Sequence, residues 1–296
     1  MQTTEEAPIV LNPAAFLKAY AATHGSPQSV NAVKLWVPMF CEYISKAGGG
    51  LSAPNLAGFR THLVTEGYKP SSVNRAIGAV RGYLKYLRLR GDLTIDSELV
   101  SLALPPAKQA RMVPVVLTKE EIGKLCDTDT PGPANWKAVK TFLALGLLTG
   151  MRPGEILRCK PSHHQPARGL LVYATKTGNQ RCIPTSDNPE LAMLLSGAGH
   201  GDEPYCVGFS TRHWDALCKA ALGRTLNRKV LRSTHSSYLA SSGKVSEFEY
   251  CSRLGHGLEV ANEHYRSMIQ GVTGDTVAQW LGAASELQAL VRRIVS

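Results

Sequence analysis

The sequence lacks any long apolar run, which sets a first limit on the kind of protein it encodes. Its 296 residues are 44% hydrophobic, but the longest candidate, FLALGLL at 142–148, is about two helical turns, whereas a membrane span needs about 20 residues. The first ten residues carry two glutamates and neither a basic segment nor a small-residue cleavage site, so no secretory signal is predicted. We therefore expect a soluble protein with no membrane partner, located in the cytoplasm.

Paired cysteines are also absent. An odd number of single cysteines, with no Cys-x-x-Cys motif, argues against a disulfide framework and against a zinc module. The seven cysteines are residues 41, 126, 159, 182, 206, 218 and 251. The sequence contains no evident cluster of metal ligands and no Gly-x4-Gly-Lys-[Ser/Thr] loop for nucleotide phosphates. We expect no metal and no cofactor.

The sequence has an excess of basic residues. Thirty-three Lys and Arg residues stand against 23 Asp and Glu, giving a formal net charge of +10. Such a balance favours a polyanionic partner such as nucleic acid. Net charge alone does not decide the function.

Residues 12–103 are predicted to form an N-terminal domain of four or five short helices, separated by Gly, Pro and Ser clusters. The last long helix has one apolar stripe, made of Val73, Ile77, Val80, Leu84 and Leu87. Basic residues lie on the same helix, at Arg75, Arg81, Lys85 and Arg88. This basic flank either is solvated or contacts nucleic acid.

A linker is predicted at 104–117, where LPPAKQARMVPVVL is proline-rich and basic and has no periodicity. The second domain, 118–296, begins with Thr118 as helix N-cap and Glu121 three residues later, a capping-box pattern. Its remaining pattern predicts a mainly α domain with a small β-sheet. The sheet is a hairpin formed by GLLVYAT and QRCIPT around a turn at KTGN, and a tail helix is expected at about 275–296.

Four segments carry candidate chemistry: TGMRPGEIL, TKTGNQRCIP, KVLRSTHSSYLAS and LGHGLEVANEHY. Taken singly, an arginine or lysine in such a segment is usually a surface ion-pair partner. Taken in order, the four resemble the active-site pattern of the tyrosine recombinase (phage integrase) family over nearly the whole chain. The resemblance implies a catalytic set of Arg152, Lys176, Lys229, Arg232, His256 and Tyr265, with Glu155 orienting an arginine.

One position departs from the family pattern. The family usually has His-x-x-Arg before its second arginine, and this chain has Lys229 three residues before Arg232. Lysine is a family variant at that position. Ser233 follows Arg232 where histidine is frequent, and His235 is an alternative donor close by. We favour Lys229 over His235, and the choice stays open.

The resemblance also implies an architecture. The N-terminal domain would be the helical core-binding domain, and the second would be a mixed α/β catalytic domain, the two clamping a DNA duplex from opposite sides. The basic residues of the last N-terminal helix would then contact phosphates.

The implied activity is site-specific DNA recombination, in which strands are cleaved and rejoined through a 3′-phosphotyrosyl intermediate without metal or ATP. Tyr265 would attack phosphorus, Arg152 and Arg232 would stabilise the transition state, and Lys176 would protonate the departing 5′ oxygen. The alternatives are a type IB topoisomerase-like enzyme and a DNA-binding protein that has lost catalysis. Integration of a mobile element and resolution of chromosome dimers stay open as biological roles.

The tail has an apolar stripe that needs a partner surface, made of Val277, Leu281, Ala284, Leu287, Val291 and Ile294. In the resembled family a C-terminal helix docks on a neighbouring protomer. We therefore expect a homotetramer on two DNA sites, a monomer or weak oligomer when free, and association with the nucleoid in a bacterial host. The alternative is that the tail folds back on its own domain.

Overall fold

The computed structural model describes residues 11–23, 26–48, 50–109, 114–129, 133–173, 180–197, 201–242, 245–255, 257, 259 and 285–296. Contacts divide the chain into two compact units, with the boundary between residues 111 and 112. That boundary falls inside the linker segment 104–117 of the sequence prediction. No helix in the described part of the chain is both long and apolar enough to cross a membrane.

The N-terminal unit is helical, as its periodicity predicts. Its described helices are α1 (Ala14–Thr23), α2 (Pro27–Ala47), α3 (Ala53–Thr65), α4 (Pro70–Leu89) and α5 (Ser97–Ala103). The apolar stripe predicted on α4 is buried in the core of this unit. Helix α2 is longer than expected, since it continues through Pro38 for 21 residues, and α4 is the predicted long helix, with 20 residues.

The C-terminal unit contains the sheet and the remaining helices. The helices are α6 (Lys119–Asp127), α7 (Pro133–Thr149), α8 (Pro153–Ile156), α9 (Pro189–Gly197), α10 (Thr211–Leu222), α11 (Val230–Ser241), α12 (Glu247–Leu254) and α13 (Ser285–Val295). Several of these helices begin at a proline. Proline suits the first helical position, because a backbone N–H there would have no intrahelical acceptor and none is lost. The predicted capping box of Thr118 and Glu121 opens α6. The chain is therefore mainly α with a small β-sheet, as expected.

Helix α7 is the centre of the C-terminal core. Its residues from Ala138 to Thr149 are buried, and it packs against α8, α10, α11 and α13. Lys140 is buried as well, and its Nζ donates to the carbonyl oxygens of Leu125 at 2.7 Å and Cys126 at 2.6 Å. The lysine thus caps the C-terminal end of α6 from inside the core.

The sheet has three antiparallel strands in the order β1 (His164–Gln165), β2 (Gly169–Tyr173) and β3 (Gln180–Ile183). The register pairs Leu170 with Ile183 and Tyr173 with Gln180. The predicted hairpin is confirmed as the β2–β3 pair, and the short β1 was not predicted. The turn between them, 174–179, lies outside the described residues.

The end of the chain corrects one prediction. Helix α13 packs on α6, α7 and α9 of its own unit, and its apolar face joins the same hydrophobic core. The buried residues of this face are Leu287, Leu290, Val291 and Ile294. Docking of this helix on a neighbouring protomer, which the sequence analysis favoured, is wrong for residues 285–295, because their apolar face is already covered within the chain. The first half of the predicted tail helix lies outside the described residues.

Candidate active site

The candidate active site begins where α7 ends. Gly150 has a φ of 62°, a left-handed conformation that favours glycine, and turns the chain from α7 towards α8. A Cβ on Gly150 would lie 2.5 Å from Cδ2 of His235 and 2.9 Å from Cδ2 of Leu254. Glycine is therefore required both for the turn and for the close approach of α11 and α12 to the end of α7.

Arg152 is the N-cap residue of α8, and Glu155 is the third residue of that helix. Glu155 accepts hydrogen bonds from the backbone N–H of Arg152 at 2.8 Å and from Nη1 of Arg152 at 2.9 Å. The side chain of Glu155 is 2% exposed and that of Arg152 is 42% exposed. The buried carboxylate therefore fixes the guanidinium from one side and leaves the other side accessible to a ligand.

A second arginine binds the same carboxylate. Arg181, on β3, donates from Nη1 to Oε1 of Glu155 at 3.1 Å and from Nη2 to Oε2 at 2.6 Å. Burial alone would raise the pKa of Glu155, but hydrogen bonds from Arg181 and from the Arg152 backbone outweigh burial and lower the pKa to about 2. Glu155 is thus ionised at neutral pH, with two guanidinium groups around one negative charge.

Arg232 approaches from α11. Its Nη1 donates to the carbonyl oxygen of Gly150 at 2.8 Å, and its Nη2 donates to that of Leu254 at 2.7 Å. Burial lowers the pKa of Arg232 to about 9, with further contributions from the positive charges of Arg152 and Arg181. The guanidinium still carries its charge at neutral pH, and a bound anion would relieve the repulsion.

The last carbonyl oxygens of α12 bring the three arginines together. The oxygens of residues 253, 254 and 255 accept from Arg181 at 2.9 Å, Arg232 at 2.7 Å and Arg152 at 3.3 Å, respectively. A helix C-terminus carries partial negative charge on such carbonyls, so cations stabilise it. The arginines therefore fix the end of α12 to the end of α7, to α11 and to β3.

The arrangement is suited to binding an anion with tetrahedral oxygens. Three guanidinium groups and one carboxylate leave two positive charges, and planar guanidinium groups meet phosphate oxygens bidentately. Among the described residues, no group of three or more His, Cys, Asp or Glu side chains is placed to hold a metal ion. The described arginines are therefore held in place by protein acceptors and present positive charge to an anion.

No protein-family model matches the chain, but curated proteins similar to it are tyrosine recombinases. Tyrosine recombinase XerA of Thermococcus kodakarensis is 28% identical over 160 residues, covering 54% of this chain and 51% of that protein. Tyrosine recombinase XerD of Listeria innocua is 29% identical over 137 residues, covering 45% and 44%. The chain thus spans about half the length of the curated relatives it matches.

Solved structures share the fold over most of the chain. A lambda integrase dimer bound to a COC′ core site matches with a TM-score of 0.64 at 18% identity, covering 88% of this chain and 96% of that one. XerH site-specific recombinase bound to palindromic difH substrate matches with a TM-score of 0.60 at 16% identity, covering 86% and 79%. The chain is therefore similar in sequence to tyrosine recombinases over about half of their length, and it shares the fold of these two solved structures.

The structure brings together only part of the predicted tyrosine recombinase residue set. Arg152 and Arg232 both donate to carbonyl oxygens at the end of α12, and Glu155 binds Arg152. Lys176, His256 and Tyr265 lie outside the described residues, so their places in the site stay predictions. Residue 256 comes two positions after the last residue of α12 in the sequence, and residue 176 belongs to the segment that joins β2 to β3.

The two candidates for the position usually held by histidine in tyrosine recombinases differ in environment. Lys229 is the exposed N-cap residue of α11, one turn before Arg232. His235 is buried, and its Nδ1 donates to the carbonyl oxygen of Leu147 at 2.8 Å. Burial lowers the pKa of His235 to about 4, so the ring is neutral and engaged with α7. Of the two side chains, only that of Lys229 is exposed to a ligand.

The predicted DNA-binding residues of α4 divide into two groups. Arg75, Lys85 and Arg88 are exposed, as a phosphate contact requires. Arg81 is half-buried, and its Nη2 donates to the carbonyl oxygen of Leu104 at 3.0 Å, just after α5. The described contact of Arg81 therefore holds α5 to α4, whereas the exposed three are available to a partner.

Arg181 was not predicted, because only Lys176 was taken from the hairpin segment as a site residue. A signal was present in the strand alternation. Arg181 and Ile183 both point to the buried side of β3, whereas Gln180 is exposed. An arginine on the inward face of a strand needs a buried acceptor, and Glu155 is that acceptor.

Proposed function

We propose that this protein is a site-specific DNA recombinase that cleaves and rejoins strands through a 3′-phosphotyrosyl intermediate. The observation that carries the proposal is the meeting of Arg152 and Arg232 at the end of α12, immediately before His256 in the sequence. In a tyrosine recombinase fold, such a pair of guanidinium groups is suited to the two non-bridging oxygens of one phosphodiester. The similar curated proteins are named tyrosine recombinases, which supports the same activity.

In the proposed first step, the phenolic oxygen of Tyr265 attacks phosphorus. A bond forms between that oxygen and phosphorus, and the bond from phosphorus to the 5′ oxygen breaks. The phenol proton must leave because an ordinary tyrosine has a pKa of about 10 and is a weak nucleophile at neutral pH. The positive potential of the arginine cluster favours the phenolate, and His256 is proposed to handle the proton.

The departing 5′ oxygen takes a proton, for which Lys176 is the proposed general acid. The free 5′ hydroxyl of another strand then attacks the phosphotyrosyl ester and releases Tyr265, which restores a phosphodiester. Because one phosphate ester replaces another, the proposed reaction needs neither ATP nor a metal ion.

The arginines are proposed to stabilise the pentavalent phosphorus of both steps. Negative charge increases on the non-bridging oxygens, and preorganised donors of this kind typically contribute about a hundredfold or more in rate. Arg152 and Arg232 are held by Glu155 and by carbonyl groups before substrate binds. Little reorganisation is therefore needed when the phosphate arrives.

Double-stranded DNA is the proposed partner, with phosphate contacts from both units. Arg75, Lys85 and Arg88 of α4 are proposed to bind the backbone in the N-terminal unit, and Lys229 in the C-terminal unit. A homotetramer on two DNA sites is proposed for strand exchange, since a lambda integrase relative is a tetramer on a Holliday junction. In a bacterium the enzyme would act in the cytoplasm at the nucleoid.

The test is capture of covalent adducts on fragmented genomic DNA. The protein is incubated with the fragments, denatured and recovered, and the attached DNA ends are sequenced. We expect adducts joined through 3′ phosphates at one or a few related sequences. Adducts at unrelated sequences with relaxation of supercoils by a monomer would identify a topoisomerase-like enzyme, and binding without adducts would identify a DNA-binding protein without catalysis.

A further inference from the structure

Arg181 makes a set of contacts that no assigned role explains. Its Nε donates to the carbonyl oxygen of Arg253 at 2.9 Å, and both terminal nitrogens donate to Glu155. Its side chain is 6% exposed. An arginine this deeply buried between β3, α8 and α12 contacts protein groups and is not placed to reach a DNA phosphate.

The sharing of one carboxylate by two arginines has an electrostatic consequence. If Glu155 faced Arg152 alone, their ion pair would neutralise the exposed guanidinium that a phosphate requires. With Arg181 on both carboxylate oxygens, the charge of Glu155 is balanced from the buried side. Arg152 therefore keeps its attraction for an anion on its exposed side.

The contact with Arg253 adds a mechanical effect. It joins β3 to the last turn of α12, whose next two carbonyls bind Arg232 and Arg152. Movement of β3 away from α12 would thus shift the carbonyl groups that hold Arg232 and Arg152.

We propose that Arg181 is a positioning residue, which balances Glu155 and fixes the end of α12 so that Arg152 and Arg232 are held ready for one phosphate. The inference rests on the proposed recombinase function for its kinetic consequence. Its structural part, the ordering of Arg152 by Arg181, can be measured without activity.

The kinetic test compares wild type with Arg181→Met, which removes the guanidinium and keeps a long side chain. We expect the rate of covalent adduct formation at saturating DNA to fall about 10- to 100-fold, the effect of misplacing a reacting group by about an ångström. The Kd for a single DNA site should change by no more than about threefold, because the exposed phosphate contacts remain. Weaker binding of the DNA site, seen as a higher Kd, together with an unchanged rate at saturating DNA would overturn the proposal.

Two further variants separate positioning from general loss of stability. Glu155→Gln combined with Arg181→Met should slow cleavage by less than the product of the single effects, because both residues act through one pair; fully multiplicative effects would contradict this. Lys140→Met removes another buried cation, one that caps α6. It should lower the unfolding midpoint and leave the cleavage rate near wild type, and equal slowing in this variant would overturn the proposal.

The activity-independent test uses protein with 15N-labelled arginine. The Nε–Hε signals of Arg152 and Arg232, assigned with Arg152→Lys and Arg232→Lys, report the order of each side chain. We expect Arg181→Met to broaden or shift the Arg152 signal in protein that remains folded; an unchanged signal would refute positioning. If wild type forms no adduct, the proposed function fails, and this measurement still decides the role of Arg181.

Discussion

Arg232 donates from Nη2 to the carbonyl oxygen of Leu254, with 2.7 Å between the two atoms. Its Nη1 reaches the carbonyl oxygen of Gly150 at 2.8 Å. One planar guanidinium thus joins α11 to the ends of both α7 and α12, at the point where the chain continues to residue 256. A lysine ammonium group would carry the same charge, but it lacks the planar arrangement of donors that lets one side chain bind both carbonyl groups.

Arg232→Lys should therefore reduce strand cleavage about a hundredfold or more, because the charge stays while the preorganised donors are lost. The measurement is the rate of adduct formation on a nicked suicide substrate. Arg224→Lys is the matched control, since Arg224 is an exposed partner of Glu121 in the same unit. Cleavage by Arg232→Lys at the control rate would show that charge alone suffices.

Lys176→Ala should cripple cleavage of ordinary DNA and recover on DNA whose bridging 5′ oxygen is replaced by sulfur. Sulfur leaves without needing a proton, so only the missing acid is bypassed. Rates on the two substrates are compared, with Lys124→Ala, an exposed lysine of α6, as control. If the sulfur substrate is cut no faster than the ordinary one by Lys176→Ala, another residue is the acid.

Tyr265→Phe should abolish the covalent adduct and leave DNA binding intact, because only the attacking oxygen is removed. A denaturing gel reports the adduct, and a gel shift reports binding. Tyr205→Phe removes a hydroxyl that donates to Leu195 within the core, and it should retain the adduct. An adduct of normal yield from Tyr265→Phe would exclude this residue as the nucleophile.

Local pattern predicted the elements that depend on neighbours in the sequence. The apolar stripe of α4, the capping box at Thr118 and the β2–β3 hairpin all follow from short-range periodicity and turn chemistry. Their positions could be read because each signal lies within a few residues of the feature it specifies.

The arginine cluster could be predicted only in part. Arg152 and Arg232 were identified by motif, but the convergence of their donors on the end of α12 joins residues 103 and 22 positions apart in the chain. The role of Arg181 could not be predicted, because the sequence does not show that Glu155 lies within hydrogen-bond distance of β3. The tail stripe showed that a partner surface was needed, and only packing of the whole unit revealed that this surface is on α6, α7 and α9.

Glu155 should make stability depend on pH in acid. Its pKa in the folded protein is lowered from 4.5 to about 2, so its contribution is fully present above about pH 4.5 and is lost as the pH falls towards 2. The shift corresponds to about 3 kcal/mol of unfolding free energy, at about 1.4 kcal/mol for each pKa unit. Urea unfolding of wild type and Glu155→Gln at several pH values measures this contribution to the free energy of unfolding.

The difference between these two proteins should narrow steadily from pH 4.5 downwards. Glu203→Gln, which removes an exposed carboxylate of the same unit, should follow the wild-type profile because surface charges contribute little. A difference between wild type and Glu155→Gln that stays constant with pH would show that the carboxylate is not held in its ionised form.

The packing of α13 within its own chain predicts a specific clash. A Cβ on Gly197, in α9, would lie 2.2 Å from Cγ1 of Val295, a distance at which one side must move. Gly197→Ala should therefore displace the end of α13 and lower the unfolding midpoint of dilute, DNA-free protein. Val295→Ala removes that methyl group and leaves Cβ at 3.0 Å, so the double variant should recover part of the loss. Because both groups belong to one chain, the effect should not depend on protein concentration. An unfolding midpoint that Gly197→Ala leaves unchanged would indicate that α13 packs on a neighbouring protomer instead. A decrease in the midpoint seen only at concentrations that favour oligomers would indicate the same.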